Sequence, residues 1–136
     1  MSTLLLDASA ILAAFDRDDA LHKPARALLS DGAVTLATLD LARYAVTNVA
    51  VRAWRAPKQV TPLLEAIERI SSDGGVLLST STLLTRAAQI AREHAISAYD
   101  AAYVAAAAQA GGTLVSCDVR DLVGKGLADT PATALR

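Results

Sequence analysis

Short apolar runs alternating with helix-length segments predict an α/β fold for this 136-residue chain, with a mostly parallel four- or five-stranded sheet flanked by helices. Three observations carry that expectation. The strand candidates are continuously apolar, as strands covered on both faces are. The segments between them repeat apolar residues at helical spacing, and polar or glycine-containing breaks separate the two kinds of segment.

The first strand is expected at Thr3 to Leu6, running into a helix from Ser9 to about Phe15. Asp16 to Asp19 form a polar loop, after which the apolar residues from Leu21 to Leu29 recur at helical spacing until Asp31-Gly32 stops them. A second strand is expected at Ala33 to Ala37 and a third helix from about Leu39 to Ala56, ended by Pro57. Pro62 suits the first turn of a fourth helix reaching Ile70, and Ser71 to Gly75 break the pattern. A third strand at Val76 to Ser79 precedes a helix from about Thr82 to His94 and an Ala-rich helix from Ala98 to Ala110. Gly111-Gly112 stop that helix, because glycine takes the left-handed cap conformation without a Cβ clash. A fourth strand at Thr113 to Ser116, a helical turn near Arg120 to Val123, a short edge strand at Leu127 to Ala128 and a loose tail over 130–136 complete the reading.

With no repeat or linker in view, residues 1–136 are expected to form one domain, large enough to bury a core without disulfides. A hydrophobic share of 53% with only 4% aromatics makes that core one of Ala, Leu, Val and Ile, and excludes a disordered chain. The single cysteine, Cys117, forms no internal disulfide and no His/Cys cluster has zinc spacing, so a reducing cytoplasm is the expected compartment. Asp7 interrupts the opening apolar run, which argues against a secretory signal, and no apolar stretch is long enough to span a bilayer. The net charge of -1 excludes a generally basic nucleic-acid binder, so any RNA contact must come from a local patch.

Asp7 follows the first strand and Asp118 the fourth, so both project from carboxyl ends of parallel strands, where the ligand crevice of an open α/β sheet lies. Asp100 stands in the first turn of a helix, where the macrodipole favours an ionised carboxylate. Each acid alone is equally suited to a plain role: Asp7 and Asp118 as helix caps, Asp100 as a first-turn acid. Brought together they would repel one another unless a cation neutralised them. Oxygen-only ligation suits Mg²⁺ or Mn²⁺, which would acidify a coordinated water and neutralise charge on a phosphate. Asp121 lies one turn after Asp118 and is a possible auxiliary acid, although a solvated surface role suits it better.

Four stretches, Leu4-Leu5-Leu6-Asp7-Ala8-Ser9-Ala10, Leu41-Ala42-Arg43-Tyr44-Ala45-Val46-Thr47-Asn48, Ala98-Tyr99-Asp100-Ala101-Ala102-Tyr103 and Leu114-Val115-Ser116-Cys117-Asp118, together resemble the PIN-domain ribonucleases, most closely the VapC-type toxins of toxin–antitoxin pairs. The resemblance implies a three-layer sandwich, an endoribonuclease using Mg²⁺ or Mn²⁺, Asp7, Asp100 and Asp118 as metal-site acids, and Ser9 and Ser116 as hydroxyls orienting them. It further implies a homodimer, a cognate antitoxin that blocks the crevice, and a structured RNA substrate of the transfer or ribosomal class. Where the family carries Glu, this chain carries Ala45.

Ala45 shares a helical face with Leu41, Ala42 and Val49, read as the buried face of the third helix. Asp40 does not replace the missing acid, because five residues rotate the side chain by about 140° around the helix; it is read as an N-terminal capping acid. A naturally degenerate site and a deliberate Glu to Ala replacement fit the sequence alike. Arg43, Arg52 and Arg55 are candidates for RNA phosphate contacts, with a solvated basic face as the ordinary alternative. His22 and His94 lack a partner pattern, and Tyr44, Tyr99, Tyr103 and Trp54 are read as core or interface residues. The readings are therefore a VapC-type ribonuclease impaired at Ala45 or a non-catalytic PIN-like module binding RNA or protein. A phosphotransfer domain with Asp7 as nucleophile ranks last, since Ser9 stands where a second Asp is required.

Overall fold

A computed structural model describes residues 3–72 and 75–135. Strand β1 (Thr3–Leu6) lies in the middle of a sheet of order β3-β2-β1-β4, with β2 (Thr35–Leu39), β3 (Val76–Leu77) and β4 (Thr113–Val115) all parallel to their neighbours. Alternation along β1 divides the interior. Leu4 and Leu6 join the core beneath helices α1 (Ala8–Ala13), α2 (His22–Ser30), α3 (Leu41–Asn48) and α4 (Val60–Ser72), packing with Ile11, Leu28, Val46, Leu63 and Ile67. Leu5 faces the opposite way, into a core shared with Leu83 and Ile90 of α5 (Ser81–His94) and the alanines of α6 (Ala98–Gln109). Helix, sheet and helix thus form the three layers, as the fully apolar strands required.

Helix α6 has almost no apolar asymmetry because it is wrapped on nearly every side: Ala101, Ala102, Tyr103, Ala105, Ala106 and Ala107 are all buried. Small side chains let α6 lie against both α5 and the strands. Gly112 permits the close return into β4, since a Cβ there would run into the Thr3 carbonyl of β1.

Several boundaries differ from the sequence reading for identifiable reasons. β2 begins two residues late because Ala33 is held in a turn by the Asp31 carboxylate, at 2.8 Å. The third helix is not continuous to Ala56: it widens into a π turn over Val49–Ala53, in which Trp54 N–H reaches the Val49 carbonyl at 2.9 Å, and ends at Arg55 with φ 52°. Asp40 occupies the N-cap position of α3 but makes no capping bond; its carboxylate instead accepts from the Ser79 N–H at 3.0 Å and from the Ser79 hydroxyl, fastening the end of β2 to the segment after β3. The edge strand expected at Leu127 to Ala128 reduces to one bridge, Val115 to Asp129. The segment read as a loose tail carries α7 (Pro131–Ala134), capped by Thr130, with Pro131 buried and the helix in contact with α2. Of that tail, Arg136 lies outside the described residues, as do Asp73 and Gly74 of the expected break.

Candidate active site

Chain order reverses at β1: the chain leaves it towards β2 and β3 on one side and returns much later as β4 on the other. A crevice opens where the strands diverge at such a point. Asp7 leaves β1 and Asp118 follows β4, and Asp7 N–H still bonds the Val115 carbonyl at 3.1 Å. Two serines lock these ends. Ser9 Oγ donates to Asp7 Oδ1 at 2.6 Å and accepts from Cys117 N–H at 2.9 Å, while Ser116 Oγ lies 3.3 Å from Ser9 Oγ and accepts from Asp118 N–H at 2.9 Å.

The capping and site readings of the acids are not alternatives. Asp7 Oδ1 caps α1 through Ala10 N–H at 2.9 Å, and Asp118 Oδ1 caps the following π turn (Val119–Val123) through Asp121 N–H at 2.9 Å. Each leaves its second oxygen outside that capping bond. Asp100 is carried on the first turn of α6, whose start is fixed by Ser97 Oγ accepting from Asp100 N–H at 3.0 Å. Asp121, read as a possible auxiliary acid with a surface role as the alternative, stands beside the other two: oxygens of Asp100, Asp118 and Asp121 all lie within 4.8 Å of one another.

These groups surround a cleft of about 440 Å³ lined by Asp7, Ala8, Ser9, Leu41, Tyr44, Ala45, Asn48, Tyr99, Asp100, Tyr103 and Asp118. Ala45 is half-buried on this wall, not on the buried face formed by Ala42 and Val46, so a longer acid there would reach the cleft. Arg43 is drawn aside to Glu68 of α4, at 3.2 Å, and with Arg52 lines a neighbouring groove that meets the cleft at Tyr44 and Asn48. Arg55 lines neither. His22 turns inward, its Nδ1 lying 2.8 Å from the Ala13 carbonyl, in keeping with a structural role.

Electrostatics follow from burial. Asp7, only 4% exposed, is pushed up to about 6 by the loss of solvent, against the opposing pull of Ser116, Ser9 and the Ala10 N–H and with a small further push from Asp100. Asp100 is also raised, first by burial and then by the charges of Asp118 and Asp121. Burial, then Asp7, holds the Tyr103 hydroxyl well above the ordinary phenol range, so it remains a proton donor. Burial, with Asp19 and Asp7 nearby, pushes the Cys117 thiol up to about 12, which leaves it an unreactive thiol.

A site that raises its own carboxylates in this way is one that a cation would relax. The donors are oxygens alone, and the spacing of Asp100, Asp118 and Asp121 suits a small hard divalent ion. Asp7 stands outside that close trio and lines the same cleft. Sequence reasoning passed over Leu41, Tyr44 and Asn48, which with Ala45 form one helical stripe at steps of three and four. It also set aside Tyr99 and Tyr103, although Tyr103 lies one turn beyond Asp100.

By fold and site together, this is an α/β sandwich with an acidic crevice at the point where strand order reverses. The chain belongs to the PIN-domain family, in its VapC type: the PIN domain model matches residues 4–122. Ribonuclease VapC3 of Pyrobaculum aerophilum is 34% identical over 119 residues, 85% of this chain and 88% of that protein. The fold is shared with Mycobacterium tuberculosis VapC20, a sarcin–ricin loop cleaving toxin, at TM-score 0.70 and 20% identity over 86% of this chain and 91% of the other. It is shared also with a chain of a toxin–antitoxin complex from Klebsiella pneumoniae, at TM-score 0.69 and 16% identity over 94% and 97% of the two chains.

Proposed function

We propose that this chain is an endoribonuclease toxin dependent on Mg²⁺ or Mn²⁺, acting on structured RNA and weakened at Ala45. The observation that carries this reading is the gathering of Asp7, Asp100, Asp118 and Asp121 around one cleft at the sheet switch point. Asp100, Asp118 and Asp121 would hold the ion, which when bound would supply charge neutralisation at phosphate and an acidified water. Asp7, held by Ser9 and the Ala10 N–H, would orient the attacking group. Ser116, by fixing the Asp118 backbone, keeps that carboxylate turned to the same place.

A methyl group at position 45 removes one ligand from this set. Loss of a group that holds or orients a metal ligand costs on the order of 10 to 100 fold in affinity or activity. That same apolar wall favours a second reading, in which the cleft binds RNA or a protein without cleaving. A cognate antitoxin is the expected partner, in line with the toxin–antitoxin complex that shares this fold. An antitoxin Arg entering the cleft would replace the cation's charge and make paired hydrogen bonds to two carboxylates. A homodimer is the family's expectation.

The deciding experiment compares Mg²⁺-dependent cleavage of a mixed structured-RNA pool by this chain, by Ala45→Glu, and by Ala45→Glu with Asp7→Ala. Cleavage that rises at least 10 fold in Ala45→Glu and disappears with Asp7→Ala supports the nuclease reading. Equal silence in all three, with RNA still bound, selects the binding module.

A further inference from the structure

Helix α3 and the π turn after it line a second depression of about 600 Å³, which meets the acidic cleft at Tyr44 and Asn48. Across that shared rim the surface changes character. The cleft is lined by Asp7, Asp100 and Asp118, whereas the groove has no acid among its lining residues and is bordered by Arg43 and Arg52. Arg43 is already matched by Glu68, at 3.2 Å, but exposed Arg52 enters no ion pair among the described residues. Tyr44, 78% exposed, offers an unburied aromatic ring where the two hollows join. Its exposure corrects the reading of Tyr44 as a core residue. Arg52 belongs to the π turn Val49–Ala53, a geometry frequent at functional sites.

An RNA whose scissile phosphate lies among the carboxylates and their ion must carry its neighbouring nucleotides out over the rim. There each phosphate gains from a cation, and each unstacked base from a flat aromatic partner. The groove presents both on one helical segment, with Arg52 seven residues past position 45, about 10 Å along the axis. A cation without a partner beside an acidic crevice favours a polyanion as the occupant. Resting on the ribonuclease reading, we propose that this groove holds the single-stranded RNA flanking the scissile phosphate, with a base stacked on Tyr44 and a phosphate on Arg52. The two residues would position the strand and take no part in the bond cleavage itself.

The test uses the full chain with Tyr44→Ala, Tyr44→Phe, Arg52→Gln and Arg52→Lys. Binding of a fluorescein-labelled RNA hairpin with single-stranded arms on both sides is followed by anisotropy in Mn²⁺ over a range of salt concentrations. Arg52→Gln should weaken binding and lower the slope of log affinity against log salt by about 0.7, the share of one phosphate contact on a single strand, while Arg52→Lys keeps the slope. Tyr44→Ala should weaken binding roughly 10 fold at an unchanged slope, and Tyr44→Phe should bind as the parent does. A merely structural role for either residue would not separate affinity from slope in this way. If the parent binds the RNA and neither Tyr44→Ala nor Arg52→Gln alters affinity or slope, as when the groove docks a protein segment instead, the proposal is overturned and the ribonuclease reading stands. Absence of RNA binding by the parent, together with no cleavage by Ala45→Glu, would remove both.

Discussion

Asp7 carries two opposed duties, and its energetics are the sum. As a helix cap it accepts the Ala10 N–H and the Ser9 hydroxyl, which favour the ionised form, yet burial outweighs both and lifts it to about 6. Its ordinary value is 3.8, so the folded state holds this proton more tightly than the unfolded chain does. The stability Asp7 contributes is therefore fully present below pH 4 and is lost as pH rises towards and through 6. Above that, keeping the carboxylate ionised costs about 3 kcal/mol. Asp7→Asn retains an oxygen for Ala10 N–H and removes the charge. In chelator it should melt higher than the parent at pH 7.5, by several degrees, with the gap shrinking steadily towards pH 5. A gap that is absent at pH 7.5, or widens on acidification, would contradict the assignment. Ala45 shows how a single residue can mislead a sequence reading: the helical face assigned to it was correct to within one neighbouring stripe, and that stripe separates core from cleft.

At the level of elements, the site depends on where two helices begin and how closely one strand returns. Ser97 fixes the first turn of α6 and with it the Asp100 backbone. Ser97→Ala should lower stability by about 1 kcal/mol, as loss of a capping side chain does, and weaken Mn²⁺ binding because Asp100 loses its anchor. Calorimetry with and without Mn²⁺ measures both, and a stability loss without any change in Mn²⁺ affinity would separate the cap from the site. At the other end of α6, Gly112→Ala would force a Cβ into the Thr3 carbonyl and push β4 from β1, whereas Gly32 has open space around it. Gly112→Ala should cost about 1–3 kcal/mol and Gly32→Ala much less, read as paired denaturant midpoints. These elements were largely legible in advance because fully apolar strands and 3.6-residue periodicity are local signals. The π turn after α3 was not, since it turns on carbonyl alignment over Val49–Ala53 against packed neighbours, and the Asp40 to Ser79 tie was not, since it joins residues 39 apart. The start of β2 was misplaced because an Asp31 turn and a strand both accept Ala33 and Val34.

For the molecule as a whole, charge distribution matters more than net charge. A total of -1 conceals a crevice in which Asp7, Asp100, Asp118 and Asp121 converge from three separate stretches of chain. The sequence located the acids and the strand ends that present them, while their mutual distances awaited the sheet order, because only β1 lying between β2 and β4 sets Asp7 opposite Asp118. Folding thus stores electrostatic repulsion at one place, and a divalent ion binding the folded state should return it as stability. At ten times its dissociation constant such an ion stabilises by about 1.4 kcal/mol. Melting temperature should accordingly rise by about 3–6 °C at this chain length in saturating Mn²⁺. Sodium chloride at matched ionic strength should not reproduce the rise, because exposed charges are screened generally whereas this site is occupied specifically. Asp100→Asn, which removes one of the three close carboxylates, should abolish most of the Mn²⁺ effect while raising stability in chelator. A rise that sodium chloride mimics, or that survives Asp100→Asn intact, would mean that the crevice does not hold the ion and that the acids meet there for a reason other than metal.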